Sequence, residues 1–181
     1  MDFSILYAIQ QLRNGFLDSL VLYVTNLAGS YGELWLLLGL ALCFFKKTRR
    51  CGVTVLLSYG LVLLLGQAVL KDLIARPRPC QLDTTVELLV ARPSSYSCPS
   101  THSAWAFAAA GSVFAYFRRP GLAVGLLALL IAFGRLYLFV HFPTDVLLGI
   151  VLGLACAAAS FFAVKGVSAL AARGRQKGTN A

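Results

Sequence analysis

Apolar residues fall along this chain in long blocks rather than in alternation, and several blocks are long enough to define elements by themselves. Cys51 to Leu70 contains no charged residue. That is about the 20 residues a helix needs to cross the hydrocarbon core of a bilayer. Val146 to Val164 repeats the pattern, and Leu34 to Phe45 does so when extended back to Gly32. Ser103 to Phe117 and Gly121 to Phe133 are shorter but lengthen into their flanks. Phe16 to Ala28 is the most polar block, interrupted by Asp18, Thr25 and Asn26. Ahead of it, Phe3, Leu6, Ile9, Leu12 and Phe16 recur at helical spacing, the pattern of an amphipathic helix lying in the membrane interface. The pattern predicts an all-α, polytopic membrane protein with six transmembrane helices and an N-terminal amphipathic segment. Five spans plus an interfacial helix is the alternative. No internal repeat or linker divides the chain, so residues 1–181 read as a single membrane domain. No cleavable signal peptide is expected, because the first residues lack a basic region and a small-residue cleavage site.

Composition agrees: 59% of the 181 residues are hydrophobic and only 13% are charged, against about 25% charged in soluble domains. A soluble core of this size leaves too much surface in water to hide so much apolar area, and a disordered chain would lack it. The net charge of +9, from sixteen Lys and Arg against seven acids, would suggest nucleic acid in a soluble protein. Here most of it sorts by loop. Lys46, Lys47, Arg49 and Arg50 occupy one connection, Arg118 and Arg119 another, and Lys165, Arg173, Arg175 and Lys177 the tail, 166–181 with its leading lysine. Alternating spans put all three on one face, and the positive-inside rule makes that face cytoplasmic. The tail reads as a mobile topology determinant, with anionic lipid binding as a sharper alternative. No nucleic-acid partner is expected.

Lys71, Arg76, Arg78, Arg92 and Arg135 break this rule by lying at the opposite face. They belong to three segments that concentrate the unusual chemistry: 71–79, 99–102 and 134–145. These segments also hold both histidines of the chain, His102 and His141. A phosphate would explain the residue types. Guanidinium groups offer paired donors to phosphate oxygens and lysine a compact charge, so Lys71, Arg78 and Arg135 are the expected anion ligands. Ser100 and Thr101 open the fourth span, where free backbone amides favour an anion. Ser100 would cap that helix or donate its hydroxyl. His141 and Asp145 are four apart, so a helical turn would set the carboxylate against one ring nitrogen and leave the other to attack phosphorus. Pro143 between them also allows a non-helical turn. His102 would protonate the leaving oxygen and later activate water. A lone arginine at headgroup level is ordinarily an anchor and a lone histidine at a helix end a cap. The gathering of all three segments on one face argues otherwise. The chain offers no third imidazole, so no metal is expected.

At these residues the sequence resembles the type 2 phosphatidic acid phosphatase superfamily. Its signature runs Lys, six residues, Arg-Pro; then Pro-Ser-Gly-His; then Ser-Arg, five residues, His, three residues, Asp. Lys71, Arg78 and Pro79 match the first part; Pro99, Ser100 and His102 the second; Arg135, His141 and Asp145 the third. Thr101 stands in place of Gly and Gly134 in place of Ser. The resemblance implies a compact bundle of six transmembrane helices with a cofactor-free, metal-independent site. It implies a phosphohistidine on His141, oriented by Asp145, with His102 as acid and then base. Lys71, Arg78, Ser100, Thr101 (through its backbone) and Arg135 would hold the phosphate. The implied substrate is a lipid phosphate in the outer leaflet of a bacterial plasma membrane. Undecaprenyl diphosphate is the first choice, with phosphatidylglycerophosphate or phosphatidic acid next. The loop from Cys80 to Ser97, with Arg92 and Tyr96, is expected to shape that choice. A lipid phosphotransferase is the alternative from the same chemistry. A non-enzymatic anion-binding membrane protein is the alternative from outside it.

Cys80 and Cys98 bracket the outer loop and are candidates for a disulfide. Gly149 and Gly153 form a small-residue pair on the last span that reads as close helix packing, with dimerisation as the other use; the oligomeric state is left open.

Overall fold

A computed structural model describes residues 2–179. Every regular element among the described residues is a helix: α1 (Asp2–Gln10), α2 (Gly15–Ala28), α3 (Glu33–Phe44), α4 (Arg49–Val62), α5 (Lys71–Ile74), α6 (Pro79–Leu82), α7 (Thr101–Tyr116), α8 (Arg118–Tyr137) and α9 (Pro143–Thr179). A π-helical stretch, Leu63–Leu70, joins α4 to α5. Each apolar block of the sequence is a helix. The segment after Val164 continues α9 instead of starting a separate tail, because it contains no proline and a glycine such as Gly166 costs a helix only about 1 kcal/mol relative to alanine. The side chains of Arg173, Arg175 and Lys177 lie outside the described residues.

Among the described residues, three helical stretches are long and apolar enough to cross a membrane: Arg49–Leu82, Arg118–Tyr137 and Pro143–Ala171. The pair α2 and α3 passes the same test only when taken together, bent by 52°. That bend departs from the expectation of two spans running in opposite senses. Gly39 of α3 packs on Val55 and Leu56 of α4, and the Tyr59 hydroxyl donates to the Tyr31 carbonyl (2.9 Å), so α3 is antiparallel to α4. Early in α2, Asp18 accepts from the hydroxyl of Tyr137 at the end of α8 (2.7 Å). Later in α2, Val24 and Ala28 share a core with Ala128 and Ile131, so α2 is antiparallel to α8. Since α4 and α8 both run toward His141, α2 and α3 both run away from it. The break needs glycine: Gly29 and Gly32 have φ of +76° and +72°, and a Cβ on Gly32 would sit 3.0 Å from the Trp105 ring.

Helix α7 is the centre of the bundle. Ala104, Ala106, Ala108, Ala109 and Ala110 are all buried, and small side chains let neighbouring backbones approach closely. Its 16 residues span about 24 Å, short of the roughly 30 Å hydrocarbon core. The glycine pair of α9 is spent here. A Cβ on Gly149 would strike the Ser100 carbonyl and one on Gly153 the Ala104 carbonyl, so the seam is intramolecular. Large apolar side chains such as Leu64, Leu126, Val151 and Phe162 face outward, as a lipid-facing surface does. Helix α1 turns part of its stripe inward: Leu6 is fully buried and shares a core with Tyr137, Phe139 and Phe142, with Phe3 and Ile9 packed against it. Leu12 and Phe16 remain exposed. Cys80 and Cys98 are both buried free thiols, so the candidate bridge is not formed. Burial, then the nearby Asp145 carboxylate, pushes the Cys98 thiol up to about 11.

The seam sets a test. Gly153→Val forces methyl groups into the α7 backbone and should destabilise the protein by about 1–3 kcal/mol. Gly125, whose Cβ position is open space, should accept alanine without loss. Thermal unfolding in detergent measures both; equal effects would contradict the packing described.

Candidate functional site

A cavity of about 580 Å³ opens at the end of the bundle where α5, α7, α8 and the α8–α9 connection meet. Lys71, Arg78, Thr101, His102, Arg135 and His141 all line it, so six of the eight residues expected from sequence converge. Ser100 and Asp145 do not line it. No Asp or Glu among the described residues does.

The three cations are held differently. Lys71, just after the π-helical stretch, is 5% exposed and makes no salt bridge or side-chain hydrogen bond among the described residues. Arg135, in the last turn of α8, is 7% exposed. It donates through Nη2 to Thr25 Oγ1 (2.8 Å), and its Nε is buried without a partner. Arg78 is saturated. Its Nε donates to the Ser95 carbonyl (2.7 Å), Nη2 to Ser95 Oγ (3.0 Å) and the Tyr96 carbonyl (3.1 Å), and Nη1 to the Val140 carbonyl (2.8 Å) and His141 Nε2 (3.1 Å). A guanidinium has five N–H groups, and these contacts use all of them. Free donors for an anion therefore come from Lys71 and Arg135, while Arg78 locks the loop at 95–96 against His141.

The contact from Arg78 also assigns the tautomer of His141. Arg78 can only donate, so Nε2 accepts and the ring proton of the neutral imidazole is on Nδ1. His141 is 2% exposed. Burial pushes its pKa down to about 3, with Arg78 and Arg135 adding to the shift and Asp145 opposing it. The ring thus presents an unprotonated Nε2 to the cavity.

Asp145 stands behind this ring, in the first turn of α9, where Pro143 is well placed to begin a helix. Pro143 allows a non-helical turn, whereas a helical turn from His141 to Asp145 would set the carboxylate directly against the imidazole. The structure separates them: Nδ1 to Oδ2 is 3.8 Å, beyond hydrogen-bond range. Asp145 instead accepts from Arg76 Nη1 at Oδ1 (2.7 Å) and from the Phe142 amide (2.9 Å) and the Ser97 hydroxyl at Oδ2. Arg76 further binds Asp2 of α1 (2.9 Å) and lies over the Phe142 ring. Ser97 and Arg76 were missed from sequence as members of this cluster. Arg76 counted only as an outer cation, and a serine in a loop carries no periodicity.

Ser100 departs from expectation as well. Its hydroxyl meets Ser103 Oγ (2.9 Å) and caps no amide, and its own amide donates to the Asp145 carbonyl (3.0 Å). The first amides of α7 lack intrahelical partners and begin at Thr101, on the cavity wall. The Thr101 methyl lies 3.4 Å from where a Cβ on Gly66 would be, so Gly66 makes room for the larger residue. Gly134 faces Val21 and Thr25 of α2. His102 is half-buried and its Nε2 lies 3.1 Å from the Gly29 carbonyl. A carbonyl only accepts, so this nitrogen carries the proton. Val90, Ala91, Pro93, Ser94 and Ser95 form the loop wall, whereas Arg92 and Tyr96 do not line the cavity. Arg92 donates inward to the Cys80 carbonyl.

An all-helical bundle with membrane-length helices and three buried cations around a neutral histidine defines a class of membrane protein with a cationic, histidine-bearing cavity. The PAP2 superfamily profile matches residues 52–167, and the chain belongs to that family. It is 35% identical to phosphatidylglycerophosphatase B of Bacillus subtilis over 97% of this chain and 87% of that protein. It is 31% identical to undecaprenyl-diphosphatase of Sulfolobus acidocaldarius over 76% of this chain, but the match spans only 66% of that relative's length. The crystal structure of a transmembrane PAP2-type phosphatidylglycerolphosphate phosphatase from B. subtilis superposes with a TM-score of 0.72 at 33% identity, covering 92% of this chain and 84% of the other. That of Aquifex aeolicus LpxE gives 0.70 at 28%, covering 88% and 93%.

The low pKa of His141 predicts its titration. A histidine lowered in this way takes up a proton only far below its ordinary value of 6.5. Nitrogen-15 spectra of the folded protein should show His141 neutral, protonated at Nδ1, from pH 8 down to pH of about 4. An imidazolium signal appearing near pH 6.5 would contradict the geometry.

Proposed function

We propose that this protein is an integral-membrane lipid phosphatase that hydrolyses the terminal phosphate of a lipid phosphate or diphosphate through a phosphohistidine on His141. The observation that carries this is the cavity itself: three buried cations and two histidines, with no acid among the described lining residues. Lys71 and Arg135 bind the phosphate oxygens with their free donors, the Thr101 amide adds the helix N-terminus, and Arg78 turns from His141 to the substrate as it enters. Ser100 supports the α7 terminus through its backbone rather than through its hydroxyl. Nε2 of His141 attacks phosphorus and the bond to the lipid oxygen breaks. His102 gives that oxygen its proton. Because Nε2 of His102 is tied to Gly29, the transferred proton is carried on Nδ1: the charge of the bound phosphate favours the imidazolium, Nδ1 gives its proton to the lipid oxygen, and it takes a proton back from the attacking water. Water activated by His102 then cleaves the phosphohistidine to free phosphate. No cofactor or metal enters this scheme.

In this reading residues 1–181 are one membrane domain. The six expected spans become five crossings: the bent α2–α3 pair, the long helix from α4 through α5, then α7, α8 and α9, with α1 packed at the site end. Lys46, Lys47, Arg118 and Arg119 lie at the opposite end. By the positive-inside rule that end is cytoplasmic, and the site opens to the outside of a bacterial plasma membrane. Two substrates lead. Phosphatidylglycerophosphate is favoured by the match over nearly the whole chain, and undecaprenyl diphosphate by the second relative.

Purified protein in detergent with EDTA should release phosphate from at least one of phosphatidylglycerophosphate, undecaprenyl diphosphate and phosphatidic acid. His141→Ala should fall to background, and His102→Ala should lose about 10²–10⁴-fold. Wild-type release no greater than that of His141→Ala on every lipid would end the phosphatase reading. Transfer of the phosphoryl group to an added alcohol in preference to water would move it to a phosphotransferase.

A further inference from the structure

The gap between Asp145 and His141 is filled by a hydroxyl. Ser97 is fully buried, and its Oγ lies 3.4 Å from His141 Nδ1 while bonding to Asp145 Oδ2. The direction of every bond in this cluster is determined. Arg78 donates to Nε2, so the His141 proton is on Nδ1. A carboxylate only accepts, so the serine proton points to Asp145. The serine oxygen is left with lone pairs facing Nδ1–H. The result is a one-way chain of donors: Arg78 to His141, His141 to Ser97, Ser97 to Asp145. The backbone fixes the relay in place, since the Ser97 amide donates to the Arg76 carbonyl (2.8 Å) and the Arg76 side chain grips the other oxygen of the same carboxylate (2.7 Å).

We propose that Ser97 is a positioning residue for His141, transmitting the pull of Asp145 to Nδ1 and so holding Nε2 as the free, attacking nitrogen. This rests on the phosphatase reading for its kinetic consequence but not for its structural one. As Nε2 bonds to phosphorus the ring becomes cationic, and the Nδ1–H bond to an oxygen already polarised by a carboxylate strengthens. Asp145 then acts on the nucleophile chiefly through the serine. No proton leaves the relay: Nδ1 keeps its hydrogen throughout, and the ring returns to neutrality when water cleaves the P–N bond.

The test uses the full chain in lipid nanodiscs, labelled with nitrogen-15 at histidine; with two histidines in the chain, a His102→Gln control assigns the spectrum. Ser97→Ala should move the Nδ1–H proton resonance of His141 upfield, because the proton loses its acceptor while Arg78 keeps it on Nδ1. It should also lower kcat by about 10–100-fold, the size seen when a partner orienting a histidine is removed, with KM within about twofold. Ser97→Thr, which keeps the hydroxyl, should restore the resonance. Ser97→Ala combined with Asp145→Asn should be no slower than Asp145→Asn alone, because both cut one chain. An unchanged Nδ1–H resonance in Ser97→Ala, or losses that multiply in the double variant, overturns the proposal. If the resonance moves while even the wild type releases no phosphate, the relay stands and the phosphatase reading fails.

Discussion

Burying a cation without a counter-charge is among the least favourable things a fold can do, and this protein does it at Lys71 and Arg135 within one cavity, with Arg78 beside them. The acids that could neutralise them are kept elsewhere: Asp145 is behind His141, held by Arg76 and Ser97, and Asp2 closes onto Arg76 from outside. Charge in the site is therefore unbalanced by construction. An anion restores the balance, and a phosphate dianion meets guanidinium, ammonium and backbone amides with the geometry each prefers. The saturation of Arg78 is the counterpart. Its five contacts hold the loop at 95–96 and the His141 ring in register before any ligand arrives, while Lys71 and Arg135 keep donors free.

Such a site needs a stiff frame, and the packing around α7 supplies one. Glycines of α9 lie against carbonyls of α7, so the helix that begins at Thr101 and the helix that carries Asp145 have little freedom to slide. The Ser100 amide bonded to the Asp145 carbonyl joins their first turns directly. The π-helical stretch before Lys71 and the broken passage from α2 to α3 are the two irregular regions of the membrane-level structure, and both lie on the cavity wall. Irregular backbone at that depth is tolerated where it lines a polar cavity. The break also delivers the Gly29 carbonyl to His102.

Much of this was legible in sequence because polar residues are rare here and therefore informative. Lys71, Arg78, Arg135 and the two histidines stand out against apolar surroundings, and their spacing at helix ends pointed to one face. The helix centres followed from the apolar runs, whereas α8 and α9 extend beyond theirs. What was not legible depended on direction and contact. A glycine-bounded break between two apolar blocks reads equally as a reversal or as a bend, so sequence alone does not distinguish two spans from the bent pair α2 and α3. A four-residue spacing from His141 to Asp145 suggests a direct bond, and only the starting point of α9 shows the carboxylate displaced. Ser97 and Arg76 act through contacts with residues some 48 and 69 positions away, which no local pattern carries.

The central claim is that the site is held out of charge balance for an anion. Thermal unfolding of wild type and Lys71→Met, with and without inorganic phosphate, tests it most directly. Removing a buried, unpaired cation should raise the midpoint of the empty protein, while phosphate should stabilise the wild type and no longer stabilise the variant. A variant that is less stable when empty, or one that responds to phosphate as the wild type does, would contradict the account.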